Sequence, residues 1–415
     1  MQSSAKSPST KIGLQQILVV VLAAFAVLHG WVLWRSYDFI LRGYEDFTSF
    51  YTAGKIVQRG EGARLYDRQL QWQVQQEFAS SVSTRKGPLP YIRPPFEALL
   101  FLPLAYLSYP AAVTIWTLIK LILLISVFFF LPQENWRQWR WLRSPWVQGF
   151  LSIGFLPVAF DVVQGQDSIP LLLVVTAAFF FLRREEDFRW GACLGLGLFK
   201  FHLILPLFLI LLIKRKTRAI VGFACVASVL LLLSIEVVGW SGLAGYPKYL
   251  WDLNQSPNLL GTNGLVMPNL RGLLSPFLGA GRVPTPIQVA LLLIFALGIV
   301  SMARMWKGKG QSPLDRVGFS YCISVLLLTS YYTTSYDLTL LLIPLHLTGG
   351  ILASDSNLRG WPRSTFVMSA GVLLLGPLYW MLGVPLIEFY WIALVLLALT
   401  AALAGTVVIL QRRTP

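Results

Sequence analysis

Runs of apolar residues recur from Leu14 to Leu410, many of them near the ~20 residues that one helical crossing of a bilayer needs. That repetition constrains the chain more than any single motif does. Charged residues fill only 13% of the 415 positions, roughly half the share usual in a soluble domain. An outer-membrane barrel would show alternating segments of ~10 residues instead, and these are absent. The sequence predicts an all-α polytopic membrane protein, a single integral domain over 1–415 with about 12 transmembrane segments. The first run, Ile12 to Leu28 continuing to Trp34, follows Lys6 and Lys11 as a signal peptide would. It is too long for one and lacks a small-residue cleavage site, so it reads as a retained span.

Basic residues set the threading. Arg137, Arg140 and Arg143, then Arg304, Lys307 and Lys309, then Arg412 and Arg413 all flank apolar runs. Cytoplasmic loops collect Lys and Arg, so both termini are expected inside a plasma (inner) membrane. The formal net charge of +15 then needs no nucleic acid as partner, because anionic head groups of the bilayer meet it. The stretch 191–213 is apolar, yet Arg183, Arg184 and Arg189 precede it and Lys214, Arg215, Lys216 and Arg218 follow it. A single crossing would put one cluster outside. Two short spans, or a re-entrant hairpin with its apex near Lys200, keep both inside. Segments 35–95 and 240–284 become the two large extracytoplasmic loops.

The first loop carries "EDFTSFYTAGKIVQRGEGARLYD". Phe47, Phe50, Tyr51 and Ile56 share one helical face, and Leu70, Val74 and Phe78 repeat at i, i+4, i+8. Two amphipathic helices on the outer leaflet are expected. Glu45 and Asp46 open the first of them. Carboxylates there complement the helix dipole, which is the plainer account. Beside the membrane, a partly desolvated carboxylate can also serve as a general base. Adjacent helical residues point about 100° apart, and Asp46 continues the Phe50/Gly54 side, so Asp46 is the inward one.

Other polar groups stand out against the apolar ground. The turn Gln164–Gly165–Gln166–Asp167–Ser168 between two spans could hydrogen-bond a sugar. Lys200 and His202 are ionisable residues inside an apolar hairpin, functional candidates by default, and Lys200 at the apex could hold a phosphate. Arg93, before Pro94-Pro95, is a further phosphate candidate. Asn263, Asn269 and Arg271 in the second loop, and Tyr336 and Asp337 in the turn "YYTTSYD", have the makings of binding loops. Cys193, Cys225 and Cys322 are dispersed without metal-ligand spacing. There is no Walker motif and no dinucleotide fingerprint, so no cofactor or metal is expected.

An ordered set of residues resembles glycosyltransferase family 87, membrane enzymes of the GT-C fold that use polyprenyl-phosphate sugars. It comprises Asp46-Phe47 with Phe50-Tyr51 and Ala53-Gly54, then Gly60, Leu65-Tyr66-Asp67 and Tyr91 with Pro94-Pro95. Gly165-Gln166, the glycine-rich run into Lys200, and Asn269-Leu270-Arg271-Gly272 continue it. Phe201 stands where the family usually has proline, and Tyr336-Asp337 where it often has Trp-Glu-His. The resemblance implies an inverting hexosyltransferase with a GT-C-like bundle, outer-face helices and an extracytoplasmic site. The sugar, mannose-like, would pass from a polyprenyl-phosphate donor to a glycolipid or glycan acceptor. Asp46 would be the catalytic base, with Lys200, Arg271 and Arg93 at the phosphate. Glu45, Tyr51, Tyr91, Gln164, Gln166, Asp167, His202, Asn263, Asn269, Tyr336 and Asp337 would be the sugar and acceptor contacts. A secondary transporter or flippase is the alternative, though its pseudo-repeats and midplane ions are not evident.

Overall fold

The computed structural model describes residues 14–43, 45–79, 87–132, 143–254, 264–278, 283–355, 358–381 and 388–413. Among them every regular element is helical. The first apolar run forms α1 (Leu14–Leu41). An aromatic unit follows, built from α2 (Phe47–Gln58), α3 (Arg68–Phe78), α4 (Ala98–Ala105) and α5 (Tyr109–Phe130). Next come α6 (Pro145–Ile153), α7 (Leu156–Gln164), α8 (Ser168–Arg183), α9 (Asp187–Leu196), α10 (Phe201–Ile213) and α11 (Thr217–Asn254), the last broken at Gly239. The remainder is α12 (Leu270–Leu278), α13 (Thr285–Met305), α14 (Pro313–Thr329), α15 (Leu342–Ser354), α16 (Trp361–Leu374), α17 (Gly376–Met381) and α18 (Ile392–Arg413).

The expected amphipathic helices are only half right. The α3 helix buries one face, Leu70, Gln71, Val74 and Gln75. By contrast α2 is buried nearly all round, from Phe47 to Gly54 and at Ile56. It packs inside the protein on every side but one. Phe50 stacks on Phe101 of α4 at 4.7 Å, and Phe47 packs on Trp116 of α5 at 6.4 Å. Aromatic and aliphatic neighbours close this second core around the start of α2, so that helix is a fixed mount rather than a floating one.

Seven helical stretches among the described residues are long and apolar enough to cross a membrane, fewer than the roughly 12 that hydropathy suggests. The run 146–163 is bent by 80° between α6 and α7, and α8 and α14 fall just short with 16 and 17 residues. The stretch Asp187–Ile213 qualifies by length, but it does not run straight. Lys216 Nζ lies 3.7 Å from Asp187 Oδ2, whereas a straight helix of that length would separate its ends by ~40 Å. The chain therefore reverses at Lys200, where the backbone leaves helical geometry at φ −111°, ψ 59°. A reversal there is what both alternatives read from the basic flanks require, two short spans or a re-entrant hairpin.

Close packing holds the hairpin against α11. A Cβ on Gly191 would meet the Ala219 carbonyl oxygen at 1.8 Å, and one on Gly222 the Phe188 carbonyl oxygen at 2.1 Å. Small residues let these backbones touch, as in membrane helix pairs generally. The α9 helix and its 3₁₀ turn Gly197–Lys200 rise ~23 Å, and α8 spans ~24 Å. Lys200 and Ser168 thus arrive at one level, at the far end from Arg183, Lys214 and Lys216.

Candidate functional site

The site is assembled where α2, α7, α8, the hairpin apex and the 3₁₀ turn Ser335–Leu341 meet. Its scaffold is the tight turn after α7. Gly165 takes φ +67°, and a Cβ there would meet Phe47 Cβ at 2.5 Å, so only glycine fits without strain. Asp161 Oδ2 accepts from the Ser168 and Ile169 amides at 2.7 and 3.2 Å, capping α8 from one turn away. Lys120 Nζ, fully buried, donates to the Asp161 carbonyl at 2.6 Å and lies 3.3 Å from its carboxylate. Trp116 Nε1 donates to the Gly165 carbonyl at 2.9 Å. The turn is held on three sides.

From that turn a chain of polar contacts runs both ways. Gln166 Nε2 donates to Asp46 Oδ2 at 2.6 Å, while its Oε1 accepts from Arg93 Nη2 at 3.1 Å. Arg93 Nη2 also reaches Asp167 Oδ1 at 2.8 Å. Asp167 Oδ1 lies 2.8 Å from Lys200 Nζ, which lies 2.6 Å from Asp337 Oδ1 and also bonds Ser168 Oγ. Asp337 Oδ2 accepts from the Thr334 amide and hydroxyl at 2.9 and 2.8 Å. Asp46, Gln166, Arg93, Asp167, Lys200 and Asp337 therefore form one connected network. Asp46 is its only half-buried member; the other five are buried.

Asp46 is the half-buried member, next to the start of α2. It is the residue before α2, but its side chain does not cap that helix; the carboxylate turns across to Gln166 instead. The dipole-complementing account is therefore incomplete. Arg93 sits under Phe50, 5.9 Å from the ring centroid. Burial would pull its pKa down, but Asp167 and then Glu97 outweigh that and hold it above the ordinary value. Burial would likewise raise the Asp167 carboxyl, and Arg93 followed by Lys200 hold it below the usual carboxylate range.

A family model for glycosyltransferase family 87 matches residues 91–330. The chain belongs to glycosyltransferase family 87. It is thus an enzyme that transfers glycosyl groups, with a sugar donor and an acceptor as substrates. No curated protein and no solved structure matches it. The family 87 match covers Arg93, Gln166, Asp167 and Lys200, whereas Asp46 and Asp337 lie outside the matched residues.

Other expected site residues fall elsewhere. Tyr51 donates its hydroxyl to the Leu107 carbonyl at 2.7 Å and Tyr91 to that of Pro94 at 3.1 Å, both inside the aromatic core. Neither hydrogen-bonds to the network: Tyr51 is buried in α2 among the aromatic core, and Tyr91 lies in the irregular segment before Pro94-Pro95. Asn269 caps α12 through Gly272 N at 2.8 Å and ties it to the Ser330 carbonyl at 2.8 Å. That fixes Arg271, whose guanidinium lies 4.4 Å from the Tyr331 ring centroid and 5.4 Å from that of Tyr332. Lys200 Nζ lies 5.0 Å from the Tyr336 ring centroid, and His202, half-buried, follows Lys200 by two residues at the start of α10. Glu45 and Gln164 are half-buried beside the network, and Asn263 lies outside the described residues. The sequence reading missed Glu97 and the Lys120–Asp161 pair. Lys120 and Asp161 carry the same signal as Lys200, an ionisable group in an apolar run.

Proposed function

We propose that the enzyme transfers a hexose, mannose-like, from a polyprenyl-phosphate donor to a hydroxyl of an extracytoplasmic glycolipid or glycan, with inversion and with Asp46 as general base. One observation carries this reading: a single side chain, Gln166, holds Asp46 at one end and Arg93 at the other. Two hydrogen bonds and an amide group span at most ~8 Å. That is the kind of separation an inverting displacement needs between its base and the group assisting departure. The acceptor hydroxyl gives its proton to Asp46 and its oxygen bonds the anomeric carbon. The bond from that carbon to the phosphate oxygen breaks with its electron pair, and the phosphate passes from one negative charge to two. A fixed guanidinium meets developing charge of this kind without reorganising.

Arg93 is the cation assigned to the phosphate, with Arg271 on the adjoining loop as the second. Lys200 is not, contrary to the first expectation. Its three N–H groups already meet Ser168, Asp167 and Asp337, so it orders the carboxylates around Arg93. Gln166, Tyr336 and His202 line the sugar side. The test is Asp46→Asn, assayed for transfer from a polyprenyl-phosphate hexose with purified protein in nanodiscs. General-base loss should cut transfer by ~10²–10⁴-fold, while Glu45→Gln should keep most of it. Full activity of Asp46→Asn sinks the assignment, and Asp46-dependent movement of a solute across liposomes without any transfer would favour a transporter.

A further inference from the structure

Glu97, at the end of the 3₁₀ turn Pro95–Glu97, is 1% exposed and sits against the network. Its nearest cation is Arg93, whose Nε stands 3.9 Å from Glu97 Oε2, beyond hydrogen-bond length. The carboxyl of Glu97 lies within hydrogen-bond reach of that of Asp167. Glu97 Oε2 and Asp167 Oδ2 are both buried, and neither has a donor among the described residues. Two carboxylate oxygens cannot satisfy each other, and each buried orphan is costly. A proton between them would satisfy both.

The neighbouring hydroxyls cannot supply it. Tyr66 donates to the Arg93 carbonyl at 2.8 Å, Tyr246 to that of Ile92 at 2.9 Å and Tyr91 to that of Pro94, and each has one proton to give. Charge balance agrees. Arg93 and Lys200 are offset by Asp167 and Asp337, so a further anion at Glu97 would be uncompensated inside the protein. The proton belongs on Glu97, because Asp167 is the carboxyl that both cations touch. We propose that Glu97 is a neutral positioning residue, donating Oε2–H to Asp167 Oδ2 and so keeping Arg93 from being shared with a second carboxylate. Burial first, and then the adjacent Asp167, push the Glu97 carboxyl well above its ordinary value against the opposing pull of Arg93. The groups acting on it are Asp167, Arg93 and Lys200, with Tyr66, Tyr91 and Tyr246 around them.

The proton itself is independent of the donor; its consequence rests on Arg93 being the phosphate cation. As pH climbs through the raised value, Glu97 ionises, competes for Arg93 and repels an anionic donor. Donor KM in the wild type should then rise by about tenfold per pH unit on the alkaline limb, with kcat changing little. Glu97→Gln can still donate to Asp167 but cannot ionise, so its KM should stay flat there. Infrared spectra of the protein in nanodiscs at neutral pH give a readout that needs no substrate. A deuterium-sensitive C=O band of a protonated carboxylic acid is expected, lost in Glu97→Gln and displaced in Glu97→Asp. Absence of the band in the wild type overturns the proposal, even if Glu97→Gln does not fold. So does its persistence in Glu97→Gln. If the band behaves as expected but no polyprenyl-phosphate sugar is a substrate, the proposed donor falls and the shared proton stands.

Discussion

Lys200→Met is the perturbation whose size the structure sets most directly. The ammonium is fully buried, 2.6 Å from Asp337 and 2.8 Å from Asp167. Removing it leaves Asp167 with Arg93, and leaves Asp337 Oδ1 with only the Ser168 hydroxyl at 3.0 Å. The enclosed charges then sum to one uncompensated anion. Breaking a buried pair from one side costs about 3–5 kcal/mol, or roughly two to three and a half powers of ten in the unfolding equilibrium. Lys200→Met/Asp337→Asn removes both charges. The carboxamide introduced by Asp337→Asn can still accept from Thr334 through its carbonyl and turn its NH₂ toward Ser168. The double variant should therefore be more stable than Lys200→Met by at least about 2 kcal/mol. Reversible unfolding in mixed micelles, followed by loss of helical circular dichroism, measures both. A Lys200→Met protein as stable as wild type would refute the reasoning, as would a double variant no better than the single.

Two further expectations follow from the scaffold and the threading. Gly165→Ala must adopt positive φ with its Cβ against Phe47. Left-handed geometry and the overlap together should cost about 2–5 kcal/mol and lower transfer, because Gln166 moves with the turn; unfolding midpoints and transfer rates in the same preparation check this. In a background without exposed native thiols, Arg64→Cys and Lys309→Cys should react with an impermeant thiol reagent from opposite sides of the membrane. Gly62 abuts Val237 near the Gly239 break, whereas Gly310 abuts Arg183 at the other end of α8. Labelling of both from one side would overturn the threading.

The six members of the network are visible in the sequence because a charged or amide side chain in an apolar chain is conspicuous. What cannot be read there is their pairing. Asp46 meets Gln166, Arg93 meets Asp167 and Lys200 meets Asp337 across 120, 74 and 137 residues, and no local pattern encodes such contacts. Glu97 is hidden for a different reason. An acid just after Pro94-Pro95 and before an apolar run looks like an ordinary helix-start carboxylate, and only burial against Asp167 distinguishes it. Tyr51 lies in the aromatic core and makes no hydrogen bond to the network, since periodicity reports which face is apolar and not whether a protein core or a cavity lies beneath it. The helices long and apolar enough to span are fewer than hydropathy suggests where they are short or bent, at α6–α7 and α8, because hydropathy counts residues and is blind to direction. At 187–213 the flanking charges point to the chain reversal that length alone would hide.

The hairpin also explains why the network has its chemical character. A helix crossing straight through at 187–213 would place Lys200 near the membrane midplane, where it would need partners at that depth or would snorkel toward one face. Reversal at Lys200 instead stops the lysine level with the start of α8, whose amides Asp161 already caps. Asp167 and Asp337 can then be brought to it from two different elements and remain charged in the interior. With Lys200 spent on those carboxylates, Arg93 and Arg271 are the cations proposed to act on a ligand, and Arg93 is linked to Asp46 through a neutral amide. A carboxylate paired directly with a guanidinium would have its pKa pulled down and would make a poor base. Gln166 couples the two groups in position through a neutral amide. Gln166→Glu would put a second anion in the same place. It should move the pH profile of transfer as well as its rate, and a profile unchanged by that substitution would mean that Gln166 does not separate base from cation.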